Sequence, residues 1–377
     1  MEIPFVYGKI AEKENFTDRQ GEQEILFRNF SGLVNTIIIS PRRWGKTSLV
    51  NQVLQRFKAD PTVMVCQIDI FNCRSEEQFY QAFANAVLRA HTSAWESFIA
   101  NARKYLSKLM PTVTLSDVGQ TMELSFGLSF KENQATYDEI LELPHTICQA
   151  TGKKMIVCID EFQNINEYAD SLSLQRKLRA HWQRHTQVCY CLYGSKRHML
   201  MDIFSNYGMP FYKFGSILFL PKIKREEWIR FIAQRFSDSG KNISPELCGQ
   251  IADLVKDHPY YTQQLSQQTW LRTVEDTTAE IVMQAFEGIV DQLSLLFANL
   301  IDSLTARQIN FLLAVADGVT NFSAKETLEK YDLGTSANIK NLRKATLEKD
   351  LIDLLPSNKV ELQDPLFEYW LKNCYQR

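Results

Sequence analysis

The sequence has no Cys-x-x-Cys pair and no Cys/His spacing of the zinc-binding kind, although it carries 8 cysteines in 377 residues. That absence argues against a structural zinc site. Cys66, Cys158, Cys189 and Cys191 fall in apolar, strand-like runs, where a thiol serves as a small hydrophobe. Unpaired thiols of this kind fit a reducing cytoplasm. No apolar run approaches the roughly 18 residues of a membrane span. The opening MEIPFVYGKIAEKENF also lacks a basic-then-apolar signal pattern. A cytoplasmic protein without membrane contact is therefore expected. Charge of one sign is not in excess either. The formal net charge is −2, so a global basic field for nucleic acid is excluded while a local patch is not. There are no internal repeats and no low-complexity tract. The remainder, 45% hydrophobic and 23% charged, is ordinary for a globular chain long enough for two or three domains.

The most informative stretch is 35–49, NTIIISPRRWGKTSL. Thr36, Ile37, Ile38 and Ile39 read as a buried strand, broken at Ser40-Pro41. Arg42, Arg43 and Trp44 lead into Gly45-Lys46-Thr47-Ser48, and an apolar periodicity from Leu49 to Phe57 predicts a helix. Strand, tight loop, Gly-Lys-Thr and helix is the layout of a phosphate-binding loop of the Walker A kind. Loop amides and the helix N-terminus would face phosphates. Lys46 would reach the β- and γ-phosphates, and Thr47 would hold Mg²⁺. Ser40 stands where that pattern has its first Gly, a turn that Ser can make if φ stays negative.

The second signal is 155–161, MIVCIDE, a buried strand ending in an acidic pair of the Walker B kind. Asp160 would contact Mg²⁺ and Glu161 would act as general base. An acidic turn at a strand end is the plainer alternative. A third is 193–197, YGSKR, where Ser195 could sense the γ-phosphate, with Lys196 or Arg197 as charge stabilisers. Ser195 could equally be a helix N-cap.

Strand-like runs at 62–70, 155–159, 188–193 and 216–220 alternate with helical segments, which implies a parallel sheet with helices on both faces. A helix is expected over 93–109, and residues 112–130 read as a hairpin insertion with a turn at 117–119. Beyond Pro221 the pattern is all-helical and suggests a lid. Pro259 follows His258 at a helix start, where it could touch a base or simply occupy the first helical position. From 303, three helices and a hairpin make a winged helix. Lys340, Arg343 and Lys344 on its third helix could contact duplex DNA, or form a solvated face of a protein-contact module. The division expected is 1–221 core, 222–302 helical lid and 303–377 winged helix.

Taken together these motifs resemble the archaeal-type P-loop ATPase family, signal-transduction ATPases related to the AAA+ class. The loop PRRWGKTSL, the DEFQNI at 160–165, the LP at 220–221 with REEW at 225–228, the HPYY at 258–261 and the DPLF at 364–367 are similar to that family's motifs. The FTDR at 16–19 resembles its entry motif, which implies that Phe16 and Arg19 lie near the nucleotide base. The resemblance implies ATP binding, slow hydrolysis and a nucleotide-governed switch in signalling or defence. A DNA-transaction ATPase is the rival, and a protein partner or a second copy are further expectations. Asp257 stands where the family usually has Gly before HPYY, and Lys213-Phe214 where it often has Arg before the last strand.

Overall fold

The computed structural model describes all residues except 1–2, 12, 92–99, 102–103, 107–110, 117–120, 127–133, 356–358 and 376–377. The helix expected over 93–109 lies largely outside the described residues, as do the turn at 117–119 and the wing tip. The chain forms two compact units: Arg19–Pro221, and Met1–Asp18 together with Lys222–Arg377. The first 18 residues therefore part company with the core in which the sequence reading put them. Phe5 is buried in the other unit, against Phe231 and Phe236 at ring distances of 6.1 and 5.7 Å. Its carbonyl accepts from Gln267 at 2.7 Å.

The Arg19–Pro221 unit is built on a parallel sheet of β1 (Thr36–Ile39), β2 (Val63–Asp69), β5 (Lys154–Asp160), β6 (Val188–Gly194) and β7 (Ser216–Phe219). Their spatial order is β2-β5-β6-β1-β7. The central β6 is buried along its whole length and β1 likewise, which is why both read as unbroken apolar runs. Cys189 and Cys191 pack in that core. Helices α1 (Gln20–Ser31), α2 (Lys46–Lys58), α3 (Glu76–His91), α4 (Gln134–Thr151), α5 (Ser171–Trp182) and α6 (Arg197–Ser205) accompany the sheet. The insertion is the antiparallel pair β3 (Pro111–Ser116) and β4 (Thr121–Phe126). Ser75 caps α3 by accepting from Gln78 N at 3.2 Å. The N-cap of α1 carries no side-chain cap bond. It is Arg19, left-handed at φ 62, whose side chain is committed elsewhere.

The second unit holds α7 (Arg225–Asp238), α8 (Pro245–Leu254), α9 (Pro259–Arg272) and α10 (Ala279–Asp302). The tail follows with α11 (Ala306–Ala316), α12 (Lys325–Lys330), α13 (Ser336–Glu348), the hairpin β8 (Ile352–Leu354) and β9 (Val360–Leu362), and α14 (Pro365–Asn373). Length and composition alone would let α10 cross a membrane. Its Val282, Phe286, Ile289, Phe297 and Ile301 are buried within this unit, while Leu295 and Leu296 are exposed. One apolar cluster runs from Phe5 through α10 to Phe367 and Leu371.

Candidate nucleotide-phosphate site

β1 delivers the chain into the loop at one end of the sheet. Ser40 and Pro41 are buried, Arg42 and Arg43 are exposed, and Trp44 is half-buried. Gly45 caps α2 at φ +85, a conformation that costs an L side chain dearly and glycine little. Ser40 is not among the residues of positive φ, and its hydroxyl donates to Pro41 O at 3.2 Å. The backbone thus takes the loop path without glycine at that point. Lys46 and Ser48 are buried at the start of α2. Lys46 Nζ donates to Pro41 O at 3.1 Å, folded back over its own loop. Burial pushes this amine down to about 8, against the pull of Glu161 and Asp160, with Arg42 adding to the lowering.

The acidic pair arrives on β5, separated from β1 by β6. Thr47 Oγ1 donates to Asp160 Oδ2 at 2.7 Å, so the two oxygens expected around Mg²⁺ are adjacent. Burial lifts the Asp160 carboxyl to about 6, opposed by the Thr47 hydrogen bond and reinforced by Glu161. Glu161 is left-handed (φ 54, ψ 36), a strained state for a non-glycine residue. Ser195, at the end of β6, donates to Glu161 Oε2 from its hydroxyl at 2.9 Å and from its amide at 3.3 Å. It does not cap α6, whose N-cap is Lys196 without a side-chain bond. Lys196 pairs with Glu167 at 3.0 Å. Asn164 donates to Ile70 O and Phe71 O at 3.4 and 3.3 Å, which pins the acidic turn to the end of β2.

Arg19 is 2% exposed. Its guanidinium donates to Trp44 O at 3.0 Å and to Pro221 O at 2.9 Å, and lies 3.8 Å from Glu22. It braces the loop through main-chain contacts.

A family model described as a probable winged helix domain matches residues 295–373. No curated protein sequence matches the chain. Among solved structures, the Walker-type ATPase of Pyrococcus abyssi aligns at TM-score 0.69 and 16% identity over 98% of this chain and 99% of its own. The ORC2 protein of Aeropyrum pernix in ADPNP–ADP complexes aligns at TM-score 0.56 and 16% identity over 99% of this chain and 98% of its own. Its ADP form aligns at TM-score 0.53 and 17% identity over the same shares. The chain has a P-loop ATPase fold of the AAA+ type with a winged-helix tail. At these identities the likeness is one of fold.

Two residues expected at the P-loop ATPase base site, Phe16 and Pro259, belong to the second unit. Phe16 is half-buried, and Pro259 is buried in the first turn of α9. The chain reaches that turn through Lys256 and Asp257, left-handed at φ 52 and 56. Asp257 occupies a glycine-type conformation and its carboxylate is gripped by Arg225, at 2.5 Å from Nε and 2.8 Å from Nη2. That pairing gives a physical reason for aspartate at this position, and spacing alone could not reveal it.

In the winged helix, Lys340 is exposed on α13. Arg343 stacks over Phe322 at 5.4 Å, Lys344 lies 3.7 Å from Glu348, and Lys349 donates to Ser303 O at 3.1 Å. Gln163 and Gly194 are site residues that residue-by-residue reading missed. Both lie inside quoted motifs, DEFQNI and YGSKR, but spacing gave neither a role.

Proposed function

We propose that this chain binds Mg²⁺-ATP, hydrolyses it slowly, and passes its nucleotide state to the winged-helix tail as a switch in signalling or defence. The observation that carries the reading is the Thr47–Asp160 hydrogen bond of 2.7 Å beside the buried Lys46. Two hard oxygens at the N-terminus of α2 suit Mg²⁺, with Thr47 as ligand and Asp160 as its outer partner. Among the described residues no cluster of three His, Cys, Asp or Glu could hold a metal alone. Phosphate oxygens would complete such a shell. When bound, Mg²⁺ would offset charge on the phosphate oxygens.

The chain's own groups would do the rest. Lys46 and the loop N–H groups from Arg42 to Ser48 hold the phosphates, and Arg42 and Arg43 add positive charge at the loop rim. Glu161 takes a proton from the attacking water as its oxygen bonds to the γ-phosphorus. The bond from that phosphorus to the β–γ bridging oxygen breaks, releasing ADP and inorganic phosphate. Ser195 holds Glu161, and Arg19 braces the loop through Trp44 O. A duplex-DNA output finds less support. Arg343 stacks on Phe322, and the exposed Lys344 and Lys349 lie beside Glu348 and Ser303 O, so acidic and main-chain groups temper this basic face.

The test is nucleotide binding read by thermal shift. Lys46→Ala should weaken ATP binding roughly 10- to 100-fold, the worth of hydrogen bonds to a charged donor. Unchanged affinity would refute the loop as the phosphate site.

A further inference from the structure

We propose that Gln163 is a positioning residue for Glu161, and that Gly194 is required because Gln163 fills the space a side chain there would need. The inference rests on the ATPase reading of the same site.

Three donors converge on one oxygen of Glu161. Gln163 Nε2 reaches Oε2 at 2.5 Å, and Ser195 adds its hydroxyl at 2.9 Å and its amide at 3.3 Å. Among the described residues the hydrogen bonds to this carboxylate all fall on Oε2, which leaves Oε1 to accept from water. A carboxylate with one oxygen anchored and the other available is what a general base needs, because its rotation would otherwise misplace the proton acceptor. The anchoring also answers the backbone. Glu161 is left-handed, which costs about 1–2 kcal/mol for an ordinary residue and persists only where the surroundings over-determine it.

Gln163 is itself buried, although its Oε1 finds no hydrogen-bond partner among the described residues. It is 1% exposed and belongs to the short helical turn Phe162–Glu167 that follows β5. Phe162 and Ile165, on either side, are fully buried in the main core. Its amide lies against the α-carbon of Gly194. A β-carbon built there would stand 1.8 Å from Gln163 Oε1, 2.9 Å from its Cδ and 3.2 Å from Glu161 Cα. Any side chain at 194 must therefore shift the Gln163 amide from this position. Gly194 closes β6 immediately before Ser195, so one dipeptide supplies both the room for one clamp and the donor of the other.

The experiment is steady-state ATP hydrolysis by the full chain, with thermal stability and ATP affinity measured on every variant. Gln163→Leu, near in volume but without a donor, should lower kcat roughly 10- to 100-fold with KM for ATP within about twofold. Gly194→Ala should give the same split. The double variant should lose no more than either alone, because both changes remove one clamp. A purely structural role would instead lower stability and shift kcat and KM together. If the wild type hydrolyses ATP and Gln163→Leu, still folded and binding ATP, retains its kcat, the inference is wrong while the proposed function stands. If the wild type binds ATP but never turns it over, the proposed function falls and this inference with it. Additive losses in the double variant would overturn the link between Gly194 and Gln163. Should Gly194→Ala fail to fold, Gln163→Leu and Gln163→Asn, whose shorter amide cannot reach Glu161, carry the test.

Discussion

The His185 imidazole is buried, with Nε2 3.1 Å from Glu142 Oε2 and Nδ1 2.8 Å from the Tyr190 hydroxyl. A neutral ring satisfies both partners, donating from Nε2 and accepting at Nδ1. His145 stacks on it at 5.1 Å, and His181 Nδ1 meets the same Glu142 at 2.6 Å. Burial pushes His185 down to about 4 from 6.5, against the pull of Glu142. The unfolded chain therefore takes up this proton first as pH falls, and stability is lost through the window from 6.5 down to about 4. Glu142, although its burial works the other way, is held below its ordinary 4.5 chiefly by His181 and His185, which extends the loss to lower pH. Denaturant titrations should show stability falling by roughly 2 kcal/mol from pH 6.5 to 5, with a flatter slope in His185→Gln. Parallel slopes would contradict this. No sequence pattern announced the cluster, because α4 brings Glu142 to His185 from 43 residues away. Arg19 was hidden in the same way. Its acceptors are main-chain carbonyls 25 and 202 residues distant, and a carbonyl carries no sequence signature.

The strands that carry the site were legible because a strand buried on both faces must be a continuous apolar run, as in β1 and β6. The loop and the acidic pair were legible as a pair, because Gly-Lys-Thr opening a helix after one strand and Asp-Glu closing another are the two halves of one phosphate-site pattern. What joins the elements was not. In the second unit, the first turn of α9 meets the start of α14 through Tyr261, whose hydroxyl donates to Asp364 Oδ2 at 2.5 Å. Asp364 caps α14 with its other oxygen, accepting from Leu366 N at 2.9 Å and Phe367 N at 3.1 Å. Lys256 pairs with Glu368 at 2.5 Å just beside it. The motif expected to respond to nucleotide and the last helix of the winged helix thus share one polar seam over one apolar cluster. A double-mutant cycle of Tyr261→Phe with Asp364→Asn should give a coupling energy of about 1 kcal/mol or more by denaturant unfolding. A coupling near zero would dissolve the seam as an energetic link.

Over the whole molecule, the chain passes between its two units at 18/19 and again at 221/222. Arg19 and Pro221, the two core-side residues at those passages, are bonded to each other, and Arg19 also holds Trp44 of the phosphate loop. A change in loop conformation on binding or losing the γ-phosphate would therefore be felt where both connections leave the core. All of it depends on the chain turning over ATP through Glu161. The direct measurement is single-turnover hydrolysis of Mg²⁺-ATP by the wild type and by Glu161→Gln. The expected result is slow but complete turnover by the wild type, and a rate lower by a factor of about 100 or more in the variant, with ATP affinity retained. Equal rates in the two proteins, or no ATP bound by either, would contradict it.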